Sequence, residues 1–120
     1  MPETLFFVSD DSSELEELAA PYRDRGWGVE FASPSAGDAV DRIAETKPLA
    51  AVFCLDGACF PSTVKLAQTV LTDPRRMRPL MVFLGGDPEQ IARAKTEVSV
   101  GLFVTEAELP WVLKHLAFKA

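Results

Sequence analysis

Apolar residues along the chain gather into five short runs, at residues 5–8, 27–32, 49–55, 80–84 and 100–104. The first, third and fourth are continuously apolar instead of alternating, the pattern of parallel strands covered on both faces. Between the runs the spacing turns helical. Ser13 with Glu16 reads as a capping box, Leu15, Leu18, Ala19 and Tyr22 follow as one stripe, and Gly26 stands where a C-terminal glycine cap belongs. Pro21 interrupts this first helix and predicts a kink or an early end. The second helix places Ala36, Ala39, Val40, Ile43 and Ala44 on one face and stops before Pro48. The third runs from about residue 62 to 71 with Val64, Ala67, Val70 and Leu71 inward. Asp87, Pro88 and Gln90 open the fourth, and the fifth follows Thr105 with Leu109, Val112, Leu113 and Leu116 inward.

Five strands alternating with five helices, through connectors too long for hairpins, require crossovers and hence a parallel sheet. Right-handed crossovers with helices on both faces predict an α/β, doubly wound five-stranded sheet in strand order 2-1-3-4-5, with residues 1–120 as one domain. In such a sheet, chemistry sits at the carboxyl ends of the strands near the switch point. The residues to read for function are therefore 9–11, 54–59, 84–86 and Thr105.

Charge narrows the classes of partner. The formal net charge is −6, and the nearest thing to a basic cluster is Arg75, Arg76 and Arg78 in a Pro-flanked connector. That balance argues against nucleic-acid binding through this domain. No apolar stretch reaches the ~18 residues of a membrane span and no basic, then apolar, leader opens the chain, so a cytoplasmic protein off the membrane is expected. In that compartment Cys54 and Cys59 are expected to be thiols, not a disulfide. They do not form a C-x-x-C pair, and Cys54 has no neighbouring cation in sequence to lower its pKa, so it reads as a small buried hydrophobe.

At the end of the first run, Ser9-Asp10-Asp11 offers adjacent carboxylates that can hold a hard divalent ion; Asp11 equally suits a helix entry. Strand 1 followed by Ser9-Asp10-Asp11, Gly26 closing helix 1, Gly37-Asp38-Ala39-Val40 with Pro48 before strand 3, Pro79 to Phe83, and Gly101 to Val104 together resemble the receiver domain of bacterial response regulators, the CheY-like family. The resemblance covers essentially the whole chain and implies the flavodoxin/CheY-like fold. It also implies a phosphoacceptor site, and here the residues depart from the family. The first acidic position falls on Ser9, the phosphoacceptor position on Cys54, the switch hydroxyl on Leu84, and the Lys-Pro after strand 5 on Thr105-Glu106.

Phosphoryl transfer to a carboxylate needs a nucleophilic oxygen, a metal and a cation on the product oxygens. With those replaced, no enzymatic activity and no cofactor are expected. The resemblance then implies a signalling module that works through protein contact without phosphorylation. The alternative keeps Asp56 as acceptor with Mg²⁺ on Asp10 and Asp11; Asp56-Gly57 is also a common turn pair. A nucleotide module at Gly85-Gly86 has only two glycines behind it. On helix 5, Trp111, His115 and Phe118 recur at i, i+4 and i+7, a second aromatic face beside the inward stripe. Receivers commonly dimerise through helix 4, strand 5 and helix 5, so a protein partner or a homodimer through these elements is expected, with Trp111, His115 and Phe118 as contact residues. His115 is the single histidine, and a nucleophilic triad built on it has little support.

Overall fold

The computed structural model describes residues 4–9, 12–35, 37–55, 60–73, 80–98, 101–105 and 107–119; for Ser12, Glu14, Phe60 and residues 115–119 it describes the backbone alone. Strands β1 (Thr4–Val8), β2 (Gly28–Ala32), β3 (Ala50–Cys54), β4 (Leu80–Leu84) and β5 (Leu102–Val104) alternate with helices α1 (Ser12–Asp24), α2 (Ala39–Thr46), α3 (Phe60–Thr72), α4 (Pro88–Glu97) and α5 (Leu109–Lys119). All paired strands are parallel, in the order β2-β1-β3-β4-β5. This is the doubly wound sheet expected from the alternation of runs.

Strand periodicity splits the apolar side chains between two cores. Leu5, Phe7, Ala50, Val52 and Val82 face α1 and α5, where Leu15, Leu18, Tyr22, Leu109 and Leu113 close over them. Phe6, Val8, Ala51, Phe53 and Phe83 face the other way, against Ile43 of α2, Val64, Ala67 and Val70 of α3 and Ala94 of α4. On that side the direct neighbours Phe53, Phe83 and Phe103 stack across three strands, with ring centroids 5.5 and 4.8 Å apart. Gly101 (φ +129°) makes room for the stack: a Cβ there would lie 2.6 Å from Cε2 of Phe83.

Helix ends follow the sequence in part. At the C-terminus of α1, Gly26 is left-handed (φ +93°), and the Trp27 amide donates to the Tyr22 carbonyl at 3.0 Å, closing a Schellman turn. Pro21 does not end the helix, which runs on to Asp24. Pro21 and Glu17, the residue whose carbonyl loses its amide donor, are both exposed, so the lost bond lies on the wet side. Ser13, expected as the cap, lies inside the first turn, and Glu16 pairs with Arg23 at 3.5 Å. The box at α4 forms as expected, with Asp87 Oδ1 accepting from the Gln90 amide (2.8 Å) and Gln90 Oε1 from the Asp87 amide (2.9 Å). The third helix starts earlier than expected, at Phe60. Ala36, Cys59 and the arginines Arg75, Arg76 and Arg78 lie outside the described residues. Among those described, no helix is long and apolar enough to cross a membrane.

Candidate functional site

The carboxyl edge of the sheet is assembled by register. Val8 lies beside Phe53, Cys54 beside Leu84 and Leu84 beside Val104, so Ser9, Cys54 and Leu84 stand in one row at the ends of β1, β3 and β4. All three are buried, at 7%, 3% and 4% exposure. The Ser9 amide extends the β1–β2 ladder by donating to the Ala32 carbonyl (3.2 Å), and the Leu55 amide extends β3 by donating to the Leu84 carbonyl (2.9 Å). Cys54 and Leu84 belong to the apolar core beneath α1 and α5, while Leu55 belongs to the opposite core. Cys54 therefore packs as a small hydrophobic thiol among apolar neighbours, as read from the sequence.

Thr105 has a different task. Its hydroxyl accepts from the Glu108 amide (3.2 Å), and the Glu108 carboxylate accepts from the Thr105 amide (2.9 Å), a reciprocal box that starts α5 directly after β5. The resemblance sets Thr105 where the family carries its lysine; Thr-x-x-Glu is also the signature of such a box. The arrangement fixes the Glu108 carboxylate at the end of β5.

Between α4 and β5 a shallow cleft of about 220 Å³ is lined by Gly85, Gly86, Lys95, Phe103, Thr105 and Glu108, among others. Lys95 was missed in the sequence, where it looks like any solvated helix residue; its ammonium stands 5.4 Å over the Phe103 ring. Both glycines have positive φ, and a Cβ on Gly86 would come within 3.0 Å of Leu55, so they serve a tight turn across the end of β3. The α4 N-terminus behind them is already capped by its own side chains. A cleft this small, with a carboxylate in its wall, is a poor fit for a nucleotide, since ligand sites run to ~300–1,000 Å³.

Asp10, Asp11, Asp56 and Glu106 lie outside the described residues, as do the side chains of His115 and Phe118. Among the described residues no group of three or more His, Cys, Asp or Glu is placed to hold a metal. The described part of the row offers one hydroxyl, one thiol and an isobutyl group. Trp111 is 68% exposed and lines a pocket together with Tyr22, Arg25 and Trp27.

No protein-family model matches the chain, and no curated protein does. Solved structures do. The chemotaxis protein CheY4 of Vibrio cholerae superposes with a TM-score of 0.76 at 13% identity, covering 97% of this chain and 99% of that one. A response-regulator signal receiver domain from Bermanella marisrubri gives 0.76 at 17% identity over 98% and 99%. A CheY-like receiver domain from Methylobacillus flagellatus gives 0.77 at 15% identity over 97% and 99%. At such identities the likeness is one of fold: the chain has the CheY-like receiver fold from end to end, whatever its chemistry.

Proposed function

We propose that this chain is a signalling module of receiver architecture that works by protein contact and does not switch by phosphorylation. The observation that carries the reading is the buried row at the strand ends, where Cys54 and Leu84 sit within an apolar core. A phosphoryl group bound there would need a nucleophilic oxygen and donors for its own oxygens, and a thiol beside an isobutyl side chain supplies neither. In this reading the protein is not an enzyme and needs no cofactor; it acts in the cytoplasm on a protein partner or on its own copy, without nucleic acid or membrane.

The test is incubation with acetyl phosphate and Mg²⁺ followed by intact-mass measurement. The mass is expected to stay unchanged. A gain of one phosphoryl group that disappears in Asp56→Asn would replace this reading with a phosphoaccepting receiver using Asp56.

A further inference from the structure

Where the chain passes from α1 to β2 it builds one wall of a cavity. Gly26, left-handed at φ +93°, closes the turn, and the amides of Arg25 and Trp27 both donate to the Tyr22 carbonyl, each at 3.0 Å. Tyr22 is buried here, Trp27 half-buried and Arg25 exposed. The other wall comes from α5, where Trp111 and Lys114, at i and i+3, share a face beside the buried Leu113. The cavity between them measures about 460 Å³, within the ~300–1,000 Å³ of small-molecule sites. Trp27 directly precedes β2, which places this wall at the amino-terminal edge of the sheet, away from the row at the strand ends.

The lining has a definite chemistry. Its rings come from Tyr22, Trp27 and Trp111, and its charge from Arg25 and Lys114. Among the described residues of this wall there is no carboxylate, although the whole chain carries −6. Glu17 lines the adjoining smaller cavity, past Pro21. Arg23 pairs with Glu16 and Arg42 with Glu30, whereas among the described residues no ion pair holds Arg25 or Lys114. Ring faces alone would favour a cation; two basic side chains beside them reverse that preference.

We propose that this cavity is a binding site for a small planar aromatic acid. The flat ring system of the ligand packs against the two indoles, where aromatic systems attract in offset and edge contacts. Its carboxylate meets the Arg25 guanidinium, whose planar fork matches two carboxylate oxygens, with Lys114 as the second charge. The turn at Gly26 already fixes the backbone of Arg25 and Trp27, so little ordering is left for binding to impose. This inference goes beyond the reading of the chain as an interaction module and uses no residue of the strand ends.

The chain has two tryptophans and both line the cavity, so their indole N–H resonances report on this site. Titration of the nitrogen-15-labelled full chain with 2-naphthoate is expected to shift both, saturably, with a Kd of about 1 mM or tighter. The same ring carrying an amine, 2-naphthylmethylamine, should bind at least about tenfold more weakly, and so should acetate, which lacks the ring. Trp111→Ala, read on the remaining Trp27 resonance, should weaken 2-naphthoate about tenfold. Arg25→Gln combined with Lys114→Gln should remove the preference for acid over amine. All three positions are exposed, and unchanged circular dichroism certifies each fold. The proposal is overturned by the lack of a saturable shift with 2-naphthoate, by an amine bound as tightly as the acid, or by an affinity that Trp111→Ala leaves unmoved. It also falls if the indole resonances move with protein concentration alone, since a second copy is then the occupant. Phosphoryl uptake, read by mass, concerns the strand ends only, so the two readings stand or fall separately.

Discussion

Single positions decide how the strand ends are built. Cys54 and Leu84 are part of the core because the register places them side by side under α1 and α5. Gly101 is fixed by the Phe83 ring, which leaves no space for a Cβ, and by a φ of +129° that a side chain rarely adopts. Gly101→Val is therefore expected to destabilise the fold by roughly 2 kcal/mol or more, visible as a lower urea midpoint at unchanged slope. A variant as stable as the parent would mean the phenylalanine stack yields easily. The two glycines after β4 answer to the same kind of constraint at Gly86, where Leu55 comes close, and they need no ligand to account for them.

At the scale of elements, the ends of α4 and α5 show how local hydrogen bonds set the shape of the edge. Both helices begin with reciprocal boxes, Asp87 with Gln90 and Thr105 with Glu108. Replacing Thr105 with Ala removes one acceptor and is expected to cost about 1 kcal/mol, while Thr105→Ser should retain most of the stability. Thermal unfolding of the two variants distinguishes a cap from a packing residue: a cap tolerates Ser, and a site needing the methyl group does not. Pro21 makes a related point. A proline inside a pattern of helical period predicts a break, but α1 continues past it, with the lost hydrogen bond on the exposed face and the stripe Leu15, Leu18, Ala19 and Tyr22 anchored in the core.

For the whole molecule, two cores share one sheet, and every strand contributes side chains to both. Loss of either core strips the same strands, so unfolding should be one transition. Trp27 and Trp111 both lie on the α1–α5 side, so their fluorescence reports on that layer, while far-ultraviolet circular dichroism reports on all helices. The two urea curves are expected to coincide; separated midpoints would show that the α1–α5 layer detaches by itself.

The order of strands, the two-sided burial and the boundaries near Leu80–Leu84 were legible in the sequence, because a run of four to seven apolar residues between helical periods leaves a parallel strand as its physical outcome. The functional groups of Ser9, Cys54, Leu84 and Thr105 were legible too, since which groups exist is fixed by the residues themselves. Their surroundings were not. That Cys54 and Leu84 are buried in a common apolar layer follows from register, and that Thr105 forms a reciprocal box with Glu108 follows from a connector short enough to bring Glu108 back to it. Such facts join residues far apart in the chain, and no local period contains them. Sequence determined the sheet and which side chains end its strands, because both are local; tertiary packing alone decided what surrounds those side chains, because it joins residues far apart in the chain.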